Sequence, residues 1–285
     1  MRCDQNDRAI RIAHLLRLPV IKLIFCTGLA VFEVARAEAF DLHLEYRVSW
    51  GNVDVASTTA DWSFEPTHFE LAATSHTMGL TDTFRRYRGK LQVSGKIENG
   101  RYMPKTLFLS GVSKRRSREA FTSWDQATGV ISTDRTPELD LEKVFPLDDQ
   151  HIKHAIDPLS AMLNVLSRFE QEGVCGGSAQ IYDGLRTSQI TLHDLGSTVL
   201  TKDRPFGFEG ETGVCGFTGK PTGGHLRKSR WRKEERKPED VVVFVAEVKP
   251  GLFLPVRMEI KSFIGKVTVR LVMPRLRVSD GIVRN

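Results

Sequence analysis

The chain has 285 residues, of which 40% are hydrophobic and 27% are charged, so it can bury a core without metal or disulfide staples. Its net charge at pH 7 is +6, and about half of that excess lies in the first 37 residues. The remainder is only mildly basic, which does not favour nucleic-acid binding, and we expect no nucleic-acid partner.

The N-terminus has the three-part pattern of a secretory signal peptide. Residues 1–17 are polar and basic, residues 18–32 are mostly apolar, and Ala35 and Ala37 place small residues where a signal peptidase cuts. The apolar run is shorter than the roughly 20 residues of a membrane span, and Lys22 interrupts it. We therefore expect residues 1–37 to be a signal peptide and residues 38–285 to form a periplasmic domain that does not span the membrane. An uncleaved membrane anchor is the alternative.

The region after the signal peptide begins with runs of alternating hydrophobicity. The first run places Leu42, Leu44, Tyr46, Val48 and Trp50 on one face, which is typical of a half-buried strand. Turn residues separate further runs of this kind. They predict strands at 53–64, 69–78, 83–94, 102–112, 120–124 and 130–133.

An amphipathic helix is predicted from Asp157 to Gln171. Asp157 can cap the first turn, and Pro158 suits the first helical position. Apolar residues recur at three- and four-residue spacing, and Gly173 ends the pattern. The apolar residues are Leu159, Met162, Leu163, Leu166 and Phe169.

The chain returns to strands after this helix. Strands are predicted at 179–182, 185–192, 241–248, 254–261 and 266–273, and residues from about 218 to 240 are predicted to form an exposed basic loop. The pattern favours a single all-β domain with one amphipathic helix, built as a large antiparallel β-barrel or half-barrel. So many strands must close or curl to hide their edges, and such folds often leave an apolar cavity.

Two cysteines remain outside the signal peptide, Cys175 and Cys215. An even pair in an oxidising compartment predicts a disulfide. A redox-active or metal-binding pair is the alternative, but the chain has no Cys-x-x-Cys spacing and no histidine within four residues of either cysteine.

Several motifs occur in an order that is similar to a known family. They include Asp157-Pro158-Leu159-Ser160, then Cys175, then Ile181-Tyr182-Asp183-Gly184-Leu185-Arg186. With them, residues 42–271 resemble a family of exported Gram-negative envelope proteins catalogued as domain of unknown function 3108. The resemblance implies a periplasmic β-rich fold and supplies no catalytic residue. The basic stretch from Arg227 to Lys237 is longer than the family pattern.

Patterns for cofactor or metal binding fail on inspection. Residues 213–221 resemble a phosphate loop, but Val214 stands where that motif needs glycine and Pro221 where it needs serine or threonine. His151, His154 and Asp157 have ligand-like spacing, but this stretch precedes Pro158 and is interpreted as a loop. We therefore expect no cofactor and no metal.

Two basic clusters form the candidate anion-binding site. If they pair across a hairpin, they make one positive patch that attracts anionic envelope components, whereas a solvated surface is the alternative. The residues are Arg85, Arg86, Arg88, Lys114, Arg115, Arg116 and Arg118.

Three functional hypotheses remain. The first is a non-enzymatic periplasmic envelope protein that binds an apolar or amphipathic ligand such as a lipid or glycolipid, or supports envelope integrity. The second is a hydrolase of envelope polymers, which requires His193, Asp194 or Asp183 to converge in a cleft. The third is a protein–protein interaction module that uses the loop at 218–240.

Overall fold

Fourteen strands and three helices make up the part of the chain that the structure describes, residues 39–114, 116–228, 237–262 and 265–280. The computed structural model places these residues in one compact unit. The strands are β1 (Phe40–Trp50), β2 (Val53–Phe64), β3 (His68–Thr77), β4 (Tyr87–Glu98), β5 (Arg101–Ser113), β6 (Arg116–Trp124), β7 (Ile131–Thr136), β8 (Gly177–Tyr182), β9 (Thr187–Leu200), β10 (Gly210–Gly223), β11 (Val241–Lys249), β12 (Leu252–Ser262), β13 (Gly265–Leu271) and β14 (Arg277–Asp280). The helices are α1 (Gly79–Phe84), α2 (Asp149–Ile152) and α3 (Pro158–Glu172), and 3-10 turns lie at Pro238–Asp240 and Met273–Arg275.

These strands join one antiparallel sheet. Its order is β7-β6-β5-β4-β3-β2-β1-β13-β12-β11-β10-β9-β8, and β14 pairs with the first residues of β1. The edge strands β7 and β8 do not pair with each other, so the sheet curls without closing. The predicted all-β fold is confirmed in its half-barrel form.

Side chains bridge the gap between the two edge strands. The Tyr182 hydroxyl on β8 lies 3.0 Å from Thr133 Oγ1 on β7 and 3.1 Å from the Gly184 carbonyl oxygen. It also accepts a hydrogen bond of 3.1 Å from Arg135 Nη2. These contacts cover two edges whose unpaired backbone groups could otherwise recruit another strand.

The two ends of the curled sheet are named here by what lies at each. The α1 end carries the β1–β2 turn at Gly51 and Asn52, helix α1, and the β5–β6 turn at Lys114. The Asn99 end, opposite to it, carries the β4–β5 turn together with the start of β1 and the end of β2.

Aromatic side chains fill the interior at the Asn99 end. The ring centroids of Phe40 and Phe64 are 4.7 Å apart, and Tyr102 packs edge-on against Phe64 and Phe69 at 6.2 and 5.4 Å. Edge-to-face and offset contacts of this kind add to the burial of the rings themselves. The half-barrel is therefore plugged at this end.

Helix α3 lies against the inner face of the sheet, as its apolar pattern predicts. Asp157 Oδ1 accepts hydrogen bonds from the amides of Leu159 and Ser160, which caps the first turn. Asn164 on α3 exchanges two hydrogen bonds with the backbone of Tyr102 at the start of β5, at 2.8 and 2.9 Å. The helix is thus attached to the Asn99 end.

The predicted disulfide between Cys175 and Cys215 is confirmed. Their Cα atoms are 5.4 Å apart and the two residues are separated by 40 positions. Cys175 follows the end of α3 and Cys215 lies on β10, so the bond attaches the C-terminal end of the helix to the sheet.

Two sequence predictions of local structure are wrong. A strand was expected from residue 83, but α1 ends at Phe84 and β4 begins at Tyr87. Here Thr77 Oγ1 donates to Asp82 and accepts from the Tyr87 amide, which stabilises a helical turn between β3 and β4. Residues 218–223, expected in the exposed loop, belong to β10, whose Gly223 pairs with Thr187. The signal-peptide prediction lies outside the described residues, as do residues 229–236 of the predicted loop.

Candidate ligand-binding cavity

An apolar cavity of about 680 Å³ lies between α3 and the inner face of the sheet. Helix α3 contributes Leu159, Met162 and Val165 to its wall. The sheet contributes side chains of the same character, among them Trp62, Ala73, Ile190, Phe217, Val243 and Met258. The volume falls in the range of roughly 300–1,000 Å³ that is typical of small-molecule pockets.

The cavity extends along the interior from Trp62, near the end of β2, to the α1 end. Val241 is the first residue of β11, and its partner Ile260 lies near the end of β12, close to the β1–β2 turn. Both line the cavity. The aromatic residues that fill the Asn99 end do not line the cavity, so the empty space stops short of that end and reaches the α1 end.

Tyr46 on β1 adds a polar atom beside this apolar wall. Its ring lines the cavity, and its hydroxyl is buried with no hydrogen-bond partner among the described residues. Burial raises the pKa of Tyr46, so the phenol stays protonated at neutral pH. Because buried polar atoms are normally hydrogen-bonded, this hydroxyl is an unsatisfied group beside the cavity.

Gly219 on β10 is a position where the cavity wall has no side chain. It lines the cavity, and a Cβ atom added to it would meet no atom within 4 Å. Its φ angle is in the ordinary range for L-residues, so a side chain can be introduced here without backbone strain. Gly219 is exposed at the margin of the cavity, so it is a position where a large side chain should obstruct the cavity.

The residues of the hydrolase hypothesis make separate contacts. His193 Nε2 lies 2.9 Å from Thr218 Oγ1, and Asp194 Oδ1 accepts from the Cys175 amide at 3.3 Å. Asp183 accepts from two backbone amides of the turn that follows it, at 2.9 and 2.6 Å. The three side chains do not form the convergent cleft that this hypothesis requires.

Two residues of the metal hypothesis, His151 and Asp157, likewise make separate contacts. His151 Nδ1 lies 3.6 Å from Asp148 Oδ2, while Asp157 caps α3. Within the described ranges, no group of three or more histidine, cysteine or acidic side chains is placed to hold a metal ion.

The two basic clusters lie side by side at the α1 end. The Lys114 amide donates to the Arg86 carbonyl oxygen at 3.3 Å, which joins the β5–β6 turn to the segment after α1. Arg88 Nη1 pairs with Asp82 at 2.6 Å, and Arg86 Nε lies 3.4 Å from the same carboxylate. Arg85, Arg116 and Arg118 are exposed, and Arg115 lies outside the described residues.

The outer face of the sheet carries an ion-pair network built on Asp203. This residue belongs to the β9–β10 connection, and its carboxylate binds Arg257 on β12 at 2.5 Å and Arg270 on β13 at 2.6 Å. Burial alone would raise the pKa of Asp203, but the two guanidinium groups outweigh burial and lower it. The connection is thereby held against the sheet.

A second carboxylate, Glu45 on β1, binds the segment that follows β13 in the same way. It is buried and accepts hydrogen bonds from Arg47, at 2.9 Å, and from Arg275. Burial opposes ionisation, yet the two arginines lower the pKa of Glu45 below its ordinary value. Glu45 therefore attaches the segment after β13 to the outer face.

Local sequence patterns predict part of the cavity wall but not all of it. The alternation of β1 assigns Tyr46 to the inner face, and the spacing of α3 assigns Leu159 and Met162 to its buried stripe. Gly219 was missed because the glycines around it were compared with a phosphate loop rather than with a strand. The alternation of Cys215 and Phe217 along the same strand is the pattern that predicts Gly219 on the cavity side.

Comparison with known proteins identifies a family without an assigned activity. The model of the family described as "Protein of unknown function (DUF3108)" matches residues 45–272. No curated protein matches the sequence. A solved structure described as a β-barrel-like protein of domain of unknown function DUF1849 from Brucella abortus is similar, with 8% sequence identity and a TM-score of 0.44. The alignment covers 86% of this chain and 100% of that one. Among the described residues, no helix has the length and apolar character needed to cross a membrane.

Proposed function

The chain belongs to the DUF3108 family, and we propose that it is a non-enzymatic periplasmic protein that binds an apolar or amphipathic envelope ligand, such as a lipid, inside the half-barrel. The observation that carries this proposal is the apolar cavity of about 680 Å³ between α3 and the sheet. Apolar surface that stays exposed inside the cavity after folding favours binding of an apolar molecule, because covering that surface lowers the free energy.

The chemistry of the wall supports a ligand that is mostly hydrocarbon. Leu159, Met162, Phe217 and Val243 offer dispersion contacts and no charge. Arg257 also lines the cavity, but its guanidinium is already paired with Asp203 and Glu259, so an ionised ligand group would be desolvated with little compensation. Methionine and aromatic side chains adapt to flexible hydrocarbon. The Tyr46 hydroxyl is unpaired but closed to solvent, so a ligand oxygen would bond it only after the neighbouring side chains move, and such a bond would favour an amphipathic molecule over a pure hydrocarbon.

Two further features support the periplasmic part of the proposal. The N-terminal sequence has the pattern of a secretory signal peptide. The Cys175–Cys215 disulfide is typical of proteins that fold in an oxidising compartment.

The test is native mass spectrometry of residues 38–285 purified from a periplasm without detergent. We expect an added mass of lipid size that organic extraction removes. Gly219→Trp should obstruct the cavity and abolish the added mass, because Gly219 lines the cavity and no atom lies within 4 Å of an added Cβ. Gly176→Trp is the matched control, since Gly176 also has open space around it and does not line the cavity.

A fluorescence titration of the delipidated protein with N-phenylnaphthylamine gives an independent readout. The wild type and Gly176→Trp should enhance the emission of this apolar probe, and Gly219→Trp should not. Absence of both lipid and probe binding in a correctly folded wild type would contradict the proposal.

A further inference from the structure

Exposed apolar side chains are concentrated at the α1 end. Leu80 and Phe84 on α1 are 75% and 73% exposed, and their i, i+4 spacing places them on one face of the helix. Trp50 and Val53, at the tip of the β1–β2 hairpin, are 50% and 63% exposed. The Met78 amide, just before α1, donates to the Val55 carbonyl oxygen at 2.9 Å, so helix and hairpin are neighbours.

Basic side chains surround this apolar surface. Arg85 and Arg86 follow α1 directly, and Lys114 lies beside them through its hydrogen bond to the Arg86 backbone. Arg116 and Arg118 continue from that turn along β6. Among the described residues, no acidic side chain forms an ion pair with Arg85, Lys114, Arg116 or Arg118. The excess positive charge is therefore available to an external anion.

The arginines occupy both faces of the sheet at this rim. Arg118 shares the inner face with the buried Ala120, because alternate residues of a strand point the same way. Arg88 pairs with Val112 on β5, which in turn pairs with Ser117 on β6. Ser117 is one position out of phase with Arg118, so Arg88 belongs to the outer face. A partner that meets both faces at once must lie across the end of the half-barrel.

Single exposed apolar residues are normal on protein surfaces and need no explanation. An apolar group ringed by arginines and lysines, with a tryptophan among its members, is instead the composition of elements that insert into the headgroup region of a membrane. We propose that the α1 end is a docking surface for an anionic phospholipid bilayer. Leu80 and Phe84 enter the headgroup region, and the basic rim binds the lipid phosphates.

The docking surface is inferred from the composition of the rim. The role we give it, bringing the cavity close to a source of lipid, rests on the proposed ligand-binding function. The cavity extends toward the same end of the half-barrel, as shown by Val241 and Ile260 in its wall. A protein docked through this end would hold the cavity next to the source of lipid.

Vesicle sedimentation of residues 38–285 tests the inference. The protein should sediment with equimolar phosphatidylcholine–phosphatidylglycerol vesicles and not with phosphatidylcholine vesicles. Salt at about 1 M should weaken binding, since it reduces the Debye length to about 3 Å.

Two variants separate the apolar and electrostatic parts. Leu80→Ser with Phe84→Ser removes the inserted side chains, and Arg85→Gln with Arg116→Gln and Arg118→Gln neutralises the rim. Each variant should weaken partitioning into the anionic vesicles at least about tenfold. Because these residues are exposed, the thermal unfolding midpoint should not change.

Matched controls carry the same changes elsewhere. Lys96→Gln with Arg101→Gln and Lys105→Gln removes three exposed charges at the Asn99 end. Val130→Ser with Val199→Ser removes two exposed apolar side chains away from α1. Both controls should bind the anionic vesicles as the wild type does.

Three outcomes would overturn the inference. They are absence of binding to anionic vesicles, equal loss in the Lys96, Arg101 and Lys105 control, and a dimer in light scattering that Leu80→Ser with Phe84→Ser dissociates. The last outcome would assign the surface to a second copy of the chain. A protein that carries lipid in its cavity and ignores vesicles would leave the proposed function intact and remove the docking surface alone.

Discussion

Two buried tyrosines show how the same hydroxyl group can have opposite effects on stability. The Tyr182 hydroxyl is hydrogen-bonded to Thr133, Gly184 and Arg135 and so joins the edges of the sheet. The Tyr46 hydroxyl is buried with no partner among the described residues. A satisfied buried hydroxyl stabilises a fold, whereas an unsatisfied one loses its hydration without compensation.

We therefore expect phenylalanine substitution to act in opposite directions at these two sites. Tyr182→Phe should lower the free energy of unfolding by about 1–2 kcal/mol, because it leaves several partners unsatisfied. Tyr46→Phe should raise it by about 1 kcal/mol in the delipidated protein. Urea denaturation of both variants and the wild type measures the difference, and a loss of stability in Tyr46→Phe would show that its hydroxyl is bonded.

Ligand binding offers a second readout of Tyr46. If the hydroxyl bonds an oxygen atom of the ligand, Tyr46→Phe should weaken lipid retention while it stabilises the delipidated protein. Tyr182 does not line the cavity, so Tyr182→Phe is the control for lipid retention.

At the scale of elements, the start of α3 depends on a carboxylate in an unfavourable environment. Asp157 is fully buried, and its Oδ1 caps two amides while its Oδ2 has no hydrogen-bond partner among the described residues. Burial raises the pKa of Asp157 above its ordinary value. The charged form is therefore disfavoured by folding, and stability decreases as pH rises from the unfolded pKa of about 4 through the folded pKa.

This environment predicts a difference between two substitutions. Asp157→Ala removes the cap and should lower the free energy of unfolding at neutral pH by about 1–2 kcal/mol. Asp157→Asn keeps a capping oxygen and carries no charge, so it should match the wild type or exceed it. Equal losses in the two variants, measured by urea denaturation, would show that the charge itself holds the helix.

The disulfide secures the other end of α3. In the chain-entropy model, cross-linking residues 40 positions apart stabilises a fold by about 4 kcal/mol. Cys175→Ser with Cys215→Ser should therefore lower the thermal midpoint by roughly 10 °C. Reduction of the wild type by dithiothreitol should give the same shift, and a midpoint unchanged by both treatments would contradict the prediction.

The elements also show what sequence patterns can and cannot predict. Alternation located β1 and β2, and capping residues located α3, because those signals are local. Strand β10 was missed since its glycines give little strand propensity. Tertiary packing explains why glycine stands at these positions. A Cβ at Gly213 would lie 2.2 Å from the Phe169 ring, and one at Gly216 would lie 2.9 Å from the Pro238 carbonyl oxygen.

The cavity belongs to the scale of the whole molecule, and its existence has no local signal. It is the space that α3 leaves when it packs against a sheet too wide to be filled by one helix. A half-barrel could be expected to contain such a space, but its volume and wall depend on the curvature of the sheet and on the position of α3. Those are set by contacts between residues distant in sequence, such as Asn164 with Tyr102.

Ion pairs of Asp203 and Glu45 attach two connecting segments to the outer face of the curved sheet. Both carboxylates have a lowered pKa, in each case because arginine partners outweigh the effect of burial. A group whose pKa is lowered by folding contributes stability that is fully present above its unfolded value and is lost as pH falls through its folded value. The stability that these two carboxylates contribute should therefore decrease below about pH 4.5, where the unfolded carboxylates begin to protonate.

Substitution at the network should remove this acid sensitivity and lower neutral stability together. Asp203→Asn weakens the ion pairs to Arg257 and Arg270, which should lower the free energy of unfolding at neutral pH by about 2 kcal/mol. At about pH 3, the difference from the wild type should shrink, because the wild-type carboxylate is then largely protonated as well. Glu98→Gln, at an exposed glutamate with no ion pair among the described residues, should show no difference at either pH. If Asp203→Asn remained equally destabilising at both pH values, the contribution of Asp203 would arise from packing rather than from its charge, and ion pairing could not be what attaches the β9–β10 connection to the sheet.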